Sequence, residues 1–177
     1  KEDSIYVKFP AKGGSASGGK FPENTYLLVW TTTPWTLPGN VALAVNPKVG
    51  YVMLEVGNEK LILAESRINI VGGEYKILKK FRGADLVSTK YEPLYLAAKP
   101  PLGGETAKSY IVVAGDFVST EEGTGIVHIA PAFGDEDFGL YKKFGLWISI
   151  TTGPEGLMQT PGHPWDKAWF KKADPMI

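Results

Sequence analysis

The sequence predicts a mainly β fold, a β-barrel-like domain with a few peripheral α-helices. Glycine (21 residues) and proline (13 residues) are frequent in this chain of 177 residues. They interrupt it about every eight to twelve residues, which is the turn spacing of all-β sandwiches and barrels. Short runs rich in aliphatic, aromatic and β-branched residues lie between these turns, whereas few segments have a helical composition. A chain of this length can bury its own core, so we predict one domain over residues 1–177.

The apolar runs predict about ten strands in chain order. They are SIYVKF (4–9), TYLLVW (25–30), VALAV (41–45), YVMLEV (51–56), KLILA (60–64), YKILKKF (75–81), PLYLAA (93–98), SYIVVAGDFV (109–118), GIVHIA (125–130) and WISI (147–150). Two helices are also predicted. Asp135–Phe144 has acids in its first turn, lysines near its end and Gly145 after it. Trp165–Lys172 is the second predicted helix.

The segment Ala11–Lys20 (AKGGSASGGK) predicts a flexible loop because it is rich in glycine and serine. The spacing of Gly14, Gly19 and Lys20 matches the start of a phosphate-binding loop. However, Phe21 stands where such a loop carries its Mg²⁺-binding Ser or Thr, so we exclude this interpretation.

Composition disfavours several functional classes. The chain has 19 Lys and Arg against 19 Asp and Glu, so its formal charge is zero. A stand-alone nucleic-acid binder gains affinity from an excess of cations, which is missing here. Because the chain has no cysteine, it forms no disulfide, thiolate nucleophile or cysteine-based zinc site, and two histidines disfavour a histidine-based metal cage. We therefore predict no metal.

The sequence favours an intracellular setting. No apolar run reaches the ~18 residues of a membrane span, and the first residues, KEDSIYVKFP, lack the apolar region of a signal peptide. The sequence also has no Asn-x-Ser/Thr glycosylation site. We expect a cytoplasmic monomer without membrane contact, cut from a longer chain, with an organellar form as the alternative.

The first chemically distinctive segment is WTTTPWTLPGN, residues 30–40. Each of its two prolines removes a backbone donor and keeps the preceding residue extended, so the segment is predicted to bend. If the strand continued through the first three threonines, Thr31 and Thr33 would face one side and Thr32 the other. Their hydroxyls would then donate and accept hydrogen bonds in one small space. Alternatively, these threonines only fill a solvated strand, where threonine is common.

The second distinctive segment is GTGIVHIAPAFGDEDF, residues 123–138. Its glycines permit a tight turn before a short strand, and its acids Asp135, Glu136 and Asp137 start a helix. A strand end and a helix start converge here, and ligands favour such places because a rigid scaffold aims the loop groups. Alternatively, the acids only complement the helix dipole, and His128 is a hydrogen-bonded structural residue.

Together the two segments, W-T-T-T-P-W-T-L-P-x-N and G-T-G-x-V-H-x-A-P-x-F-G-x-E-D, resemble the signature segments of the editing (CP1) domain inserted in isoleucyl-tRNA synthetases of class Ia. Valyl and leucyl relatives resemble T-T-R-P in the first segment, so Thr33 and Trp35 favour the isoleucyl branch. The likeness covers residues 26–56 and 110–145 well and is looser from Trp147 onward. The ATP-binding signatures of the synthetase are absent, as expected for an excised insertion.

The resemblance implies hydrolytic editing. The substrate would be valine wrongly esterified to the 3′ end of isoleucine tRNA, with valyl adenylate as a second substrate. In the double-sieve scheme known for this family, a pocket built for isoleucine cannot strongly reject valine, so a second site removes the error. The implied partners are the tRNA end and the rest of the synthetase. The editing domain would need no cofactor, whereas ATP and Mg²⁺ would serve the synthetic domain of the parent ligase.

The same resemblance implies roles for individual residues. Asp137 matches the carboxylate that pairs with the α-ammonium of the substrate, and His128 matches the histidine that lines the side-chain pocket. The implied catalytic residues are Thr31, Thr32, Thr33 and Asp137. The implied substrate-binding residues are Trp35, Thr36, Asn40, His128 and Asp137. Asp135 and Glu136 are left as acids of the helix start.

No side-chain nucleophile is evident in the sequence, because cysteine is missing and neither histidine belongs to a recognisable triad. We therefore expect attack by a positioned water, helped by the free ribose hydroxyl of the substrate, with threonine and backbone donors stabilising the oxyanion. The rival interpretation is a non-catalytic β-barrel that binds single-stranded nucleic acid or a sugar on Trp30, Trp35 and Trp147.

Overall fold

The computed structural model describes residues 4–14, 18–95 and 108–177. Its strands are β1 (Ile5–Gly13), β2 (Thr25–Thr31), β3 (Ala42–Val45), β4 (Gly50–Val56), β5 (Glu59–Ala64), β6 (Lys76–Arg82), β7 (Lys90–Tyr91), β8 (Ile111–Ala114) and β9 (Ile126–Ile129). Its α-helices are α1 (Gly83–Leu86), α2 (Asp135–Phe144) and α3 (Phe170–Ala173), and 3-10 helices cover Pro34–Gly39, Glu65–Ile70 and Asp174–Met176. The prediction of a mainly β chain with a few helices is confirmed.

All of these strands lie in one mixed sheet, in the order β6-β4-β5-β2-β1-β7-β8-β3-β9. The pairs β2–β5 and β3–β8 are parallel, and the remaining neighbours are antiparallel. Within the described residues, the end strands β6 and β9 are not paired with each other, so the sheet does not close into the barrel that the sequence suggests. The sheet curls instead, and β9 lies beside β2 without pairing with it.

Strand β2 is buried on both faces. Leu27 and Val29 belong to the main hydrophobic core, whereas Leu28 belongs to a second cluster on the opposite face of the sheet. Because side chains alternate along a strand, this arrangement requires an almost continuous apolar run, which residues 25–30 provide. Burial of each such side chain stabilises the fold by about 1.5–3 kcal/mol. The end of β2 is therefore a rigid platform for the polar residues that follow it.

A third apolar cluster fixes α2 against the other end of the sheet. Ala44 and Ile129 of the sheet pack in this cluster with Leu140 of α2 and with Leu146 and Trp147 just after it. Helix α2 covers Asp135–Phe144 as predicted, and the left-handed Gly145 (φ 65°) ends it. The packing of α2 therefore sets where its first turn lies relative to the end of β9.

The second predicted helix, Trp165–Lys172, is wrong over most of its length. Only Phe170–Ala173 is α-helical, because the preceding residues turn back and pair with Met158. The Lys167 N–H donates to the Met158 carbonyl at 2.9 Å, and the Met158 N–H donates to the Ala168 carbonyl at 2.8 Å. Lys167 also has a φ of 63°, which is incompatible with a right-handed helix. Tertiary pairing has overridden the local helical composition.

Several predicted strands also differ from the structure. Residues 147–150 carry one bridge residue, Ile148, in place of a strand, since Trp147 packs in the cluster around α2. The run 109–118 is a strand only over β8, because the chain turns where Val118 N–H bonds to the Gly115 carbonyl. The predicted loop 11–20 begins later than expected, because residues 11–13 extend β1 and pair with β7. Residues 93–95 form no strand, and the rest of the predicted strand 93–98 lies outside the described residues, as do residues 15–17 of the loop.

Within the three described ranges, no helix combines the length and the apolar character that are needed to cross a bilayer.

Candidate functional site

The end of β2 and the end of β9 form opposite walls of a cleft of about 270 Å³. Helix α2 begins at its floor. The cleft is lined by Trp30, Thr31, Thr32, Thr33, Thr36, Val127, His128, Ala130, Phe133 and Asp137. Most of the residues that the sequence singles out are thus brought together in one place.

The threonines form a hydrogen-bonded cluster because the chain bends where β2 ends. The hydroxyl oxygens of Thr31 and Thr33 lie 3.3 Å apart, and the Thr33 N–H donates to the Thr31 hydroxyl at 3.1 Å. The predicted bend is confirmed. The strand ends at Thr31, so the hydroxyls of Thr31 and Thr33 meet across the bend and not through the alternation of a continued strand. Thr32 lines the same cleft, whereas in a continued strand it would face the opposite side. The chain has already left the strand here, since Thr33 directly precedes the 3-10 helix Pro34–Gly39. One short turn therefore presents several hydroxyls to the cleft.

His128 reaches the cleft from β9, where it is paired with Leu43 of β3. Its Nε2 lies 2.9 Å from the hydroxyl of Thr36. The Thr36 hydroxyl donates its own hydrogen to the Thr33 carbonyl at 2.8 Å, so it accepts a hydrogen bond from Nε2–H of His128. This tautomer leaves Nδ1 as a bare acceptor, and that atom is buried without a partner among the described residues.

Burial lowers the pKa of His128 from 6.5 to about 4. The imidazole is consequently neutral at physiological pH. It gives the cleft a bulky wall with one polar edge and no charge.

Asp137 is the acid of the first turn of α2 that points into the cleft. Its Oδ2 accepts a hydrogen bond from the Ala130 N–H at 2.8 Å, which ties the helix start to the end of β9. Burial raises the pKa of Asp137, the hydrogen bond from Ala130 opposes this shift, and the neighbouring charge of Glu136 adds to it. A cation placed in the cleft would oppose the rise by favouring the ionised carboxylate.

Asp135 and Glu136 are exposed and do not line the cleft. They remain acids of the first helical turn, as the sequence suggests. Successive residues of a helix point in different directions, so only one of the three neighbouring acids faces the end of β9.

Two candidate residues lie outside the cleft. The Trp35 ring packs between Phe133 and Phe170, with centroid distances of 5.1 and 4.6 Å. Trp35 therefore supports the cleft from behind, through Phe133. Asn40 accepts a hydrogen bond from the Tyr91 hydroxyl at 2.6 Å and donates to the Ala42 carbonyl at 2.9 Å. Its amide is thus used within the fold.

Some cleft residues carry no strong signal in the sequence. Val127, Ala130 and Phe133 line the cleft, although only their membership of the second motif marks them. Phe133 belongs to the tight turn after β9, where its N–H bonds to the Ala130 carbonyl at 2.9 Å. The three tryptophans that the sequence proposes for stacking also do not lie together at the cleft. Trp147 is 8% exposed and packs on Tyr110 in the interior, so Trp30 is the one of the three tryptophans that borders the cleft.

The part of the chain that the structure describes contains no cluster of three His, Asp or Glu side chains that could hold a metal ion. The chemical groups of the cleft are one carboxylate, one neutral imidazole and several hydroxyls. Such groups can bind an ammonium group, donate hydrogen bonds to an oxyanion and position a water.

The chain is similar over its full length to a segment of isoleucine–tRNA ligases. It is 44% identical over 177 residues to the ligase of Clostridium acetobutylicum and 42% identical over 178 residues to that of Thermus thermophilus. Over 93% of the chain it is 40% identical to the ligase of Thermoplasma volcanium. The chain spans about 16% of the length of the Clostridium and Thermus ligases. No protein-family model matches it.

Solved structures of similar fold come from leucyl-tRNA synthetases. The GlLeuRS-CP1 crystal structure has a TM-score of 0.62 at 20% identity, over 80% of this chain and 60% of that one. The editing domain of the cytosolic leucyl-tRNA synthetase of P. knowlesi has a TM-score of 0.51 at 16% identity, over 67% of this chain and 51% of that one. At these identities the likeness concerns the fold alone.

Proposed function

Because this chain belongs to the isoleucine–tRNA ligase family as a segment with the CP1 editing fold, we propose that it hydrolyses valine from mischarged isoleucine tRNA. In this way it would maintain the fidelity of isoleucine charging in translation. Valyl adenylate is the alternative substrate. The single observation that carries the proposal is the cleft in which Asp137, His128 and the threonine cluster meet.

The carboxylate of Asp137 is the proposed partner of the substrate's α-ammonium group. Its Oδ2 is already bound to the Ala130 N–H, which orients the carboxylate before a substrate arrives. Among the described residues, no cationic side chain forms an ion pair with this carboxylate. An incoming ammonium would supply that partner through a charge-assisted hydrogen bond.

The neutral ring of His128 is the proposed boundary for the substrate's side chain. The bond to Thr36 fixes the ring, so its face and edge have one position in the cleft. A rigid wall at this position would admit valine and clash with the additional methylene of isoleucine. Discrimination of one methylene in an apolar pocket is worth about 1–3 kcal/mol, so the position of the wall is critical.

The threonine hydroxyls are the proposed donors to the reacting ester. A water molecule attacks the ester carbonyl carbon and forms a tetrahedral oxyanion. The bond from this carbon to the ribose oxygen then breaks, and the proton of the water passes to that oxygen. The products are valine and free tRNA. The hydroxyls of Thr31 and Thr33, held 3.3 Å apart, can stabilise the oxyanion with little reorganisation. The Thr36 hydroxyl, whose hydrogen goes to the Thr33 carbonyl, instead fixes His128.

A second groove continues from the cleft along Trp30 and Val127 and is the proposed place of the terminal nucleoside. An aromatic ring at the junction can pack against a base or a ribose. The chain's zero formal charge predicts weak binding of tRNA by this segment alone, so the rest of the ligase would deliver the acceptor end. In this scheme the editing step uses no cofactor, the ATP and Mg²⁺ serve the synthetic part of the ligase, and the setting is the cytoplasm.

The decisive experiment compares ester loss from valyl- and isoleucyl-charged isoleucine tRNA in the presence of the purified chain. We expect faster loss of the valyl ester, and a decrease of about 100-fold or more in Asp137→Ala. Glu136→Ala is the matched control, because this neighbouring acid is exposed and outside the cleft. Equal hydrolysis by wild type and Asp137→Ala would remove the ammonium contact from the proposal. Tight binding of the RNA without any turnover would favour the rival binding module.

A further inference from the structure

The second groove has a volume of about 460 Å³ and is formed mainly by the loop between β8 and β9. It shares Trp30 and Val127 with the threonine cleft. Its remaining lining residues are Ser119, Glu121, Glu122, Gly123, Thr124, Gly125 and Ile126. The position of this loop therefore determines the shape of the surface next to the cleft.

The inner end of the loop is held by buried residues of β4 and β5. The Ala64 N–H donates to the Thr124 carbonyl at 2.8 Å, and the Tyr51 hydroxyl donates to the Gly125 carbonyl at 2.6 Å. Both donors are fully buried, so these bonds are part of the core. They fix the point where the loop enters β9.

Two side chains hold the rest of the loop. Asn46 donates from Nδ2 to the Asp116 and Val118 carbonyls near its start, at 3.3 and 3.1 Å, and Arg67 holds residues 121–123. Its Nε–H donates to the Gly123 carbonyl at 2.9 Å, and its Nη1–H donates to the Glu121 carbonyl at 3.1 Å. Arg67 lies in the 3-10 helix Glu65–Ile70, directly after β5. Within the described ranges its guanidinium has no carboxylate partner, so its specific contacts are these two backbone carbonyls.

The loop leaves no free space between itself and Trp30. Gly123 has a φ of 64°, and a Cβ at this position would lie 2.9 Å from the Cε3 atom of the Trp30 ring. A displacement of the loop would therefore move the groove wall relative to Trp30. A misplacement of about 1 Å in such a wall can cost up to a hundredfold in activity.

We infer that Arg67 is a positioning residue of the site: it holds residues 121–123 against Trp30 and thereby shapes the groove beside the cleft. The inference rests on the proposed function for the identity of the ligand, the nucleoside end of the tRNA. A planar guanidinium can hold two carbonyls at once, whereas the ammonium of lysine is a single point donor at the end of a flexible stem. Arg67 touches no reacting atom in this scheme and acts only through the loop.

The test is steady-state hydrolysis of valyl-charged isoleucine tRNA by four proteins: wild type, Arg67→Ala, Arg67→Lys and Arg82→Ala. Arg82 is the other arginine of the chain and lies exposed on β6, opposite Gly50 and away from the loop. We expect Arg67→Ala to raise KM about tenfold, because a displaced groove wall weakens binding of the nucleoside end, and to leave kcat within about twofold. Arg67→Lys should lie between Arg67→Ala and wild type, and Arg82→Ala should match wild type.

Other results would overturn the inference. These are an unchanged KM in Arg67→Ala, a loss in kcat without a change in KM, or an Arg67→Lys variant equal to wild type, since the last result would assign the effect to charge alone. Thermal melting of each variant by circular dichroism identifies a general loss of stability. An Arg67→Ala variant that is as stable as Arg82→Ala and still has a raised KM supports positioning.

Binding of uncharged isoleucine tRNA separates this inference from the proposed function. If wild type binds the tRNA without hydrolysing the ester, the proposed function fails, and a Kd raised about tenfold in Arg67→Ala but not in Arg82→Ala still supports the role of Arg67. If wild type neither binds nor hydrolyses even at tRNA concentrations that reveal weak binding, both fail. If wild type hydrolyses the ester and the Arg67 variants match it in KM and Kd, only the inference about Arg67 fails.

Discussion

Thr31, Thr32, Thr33 and Thr36 reach the cleft from the end of β2 and the turn that follows it. His128 and Asp137 reach it from a strand and from a helix. The first region contributes hydroxyls that are hydrogen-bonded to one another. The second contributes the ionisable groups. Burial lowers the pKa of His128 and raises that of Asp137, so it favours the neutral form of each. Local chain geometry is therefore sufficient to cluster neutral hydroxyl groups, whereas the titratable groups are placed by packing between elements.

The largest expected effect is a pH dependence of stability that arises from the ionisable groups of the second region. Because the pKa of His128 is about 4 in the folded chain and 6.5 in its ordinary state, the unfolded chain binds more protons between these values. The contribution of the neutral His128 to the free energy of unfolding should therefore be complete above pH 6.5. The free energy of unfolding should fall by about 3 kcal/mol as the pH decreases to about 4. The raised pKa of Asp137 acts with the opposite sign, because its folded form binds its proton more readily.

Urea unfolding at pH 7 and pH 4 measures this effect as the difference between wild type and His128→Gln. The wild type should lose about 3 kcal/mol more than the variant over this interval. Thr33→Ala, from the first region, should keep the pH dependence of the wild type. Parallel curves for wild type and His128→Gln would break the proposed contrast between the regions.

The next effect concerns the chemical role of the first region. Thr33→Ala removes a hydroxyl that lies between those of Thr31 and Thr36. We expect kcat for valyl ester hydrolysis to fall about a hundredfold, as for the loss of one oxyanion donor. Thr152→Ala is the control, because this threonine lies outside the cleft and its hydroxyl contacts Met158. Full activity of Thr33→Ala would show that the hydroxyls only shape the turn.

A smaller effect concerns Asn40, the residue of the first motif whose amide is hydrogen-bonded within the fold. Asn40→Ala leaves the buried Tyr91 hydroxyl without its acceptor and should lower the free energy of unfolding by about 2 kcal/mol. Hydrolysis at 25 °C should be unchanged, because Asn40 does not line the cleft. Denaturant unfolding and ester hydrolysis measure the two quantities, with exposed Asn69→Ala as the control. A loss of activity in a variant that remains folded would return Asn40 to the binding residues.

The smallest effect concerns selectivity in the second region. His128→Ala removes the wall of the cleft, so hydrolysis of the isoleucyl ester should increase about tenfold relative to that of the valyl ester. The ratio of the two initial rates measures this change. An unaltered ratio would mean that another cleft residue, such as Phe133, sets the size limit.

Much of the fold could be predicted because its signals are local. The double burial of β2 follows from the apolar run 26–30, and α2 follows from its acidic first turn and Gly145. The helix predicted over Trp165–Lys172 fails because pairing with Met158, a partner distant in sequence, determines that segment. Barrel closure fails for a related reason, since strand composition does not specify which strands pair at the ends of a sheet.

The candidate site shows the same division. The two prolines could predict the bend after β2. Strand alternation does not account for the meeting of Thr31 and Thr33, because β2 ends at Thr31 and Thr32 lines the same cleft. Asn40 stands close to them in the sequence, but its amide is taken by Tyr91, a partner 51 positions away. Asp137 and Glu136 are neighbouring acids, but only Asp137 lines the cleft and accepts the Ala130 N–H, whereas Glu136 is exposed.

The sequence by itself determined the mainly β composition, the bend after Thr31 and the helix that begins at Asp135, because periodicity, proline and capping act over a few residues. The tertiary structure decided that Thr36 meets His128 across 92 positions of chain, that one acid of three faces the cleft, and that Arg67 holds the loop beside it. Contacts of this range depend on how the whole sheet curls and packs, and that is a property of all its strands together.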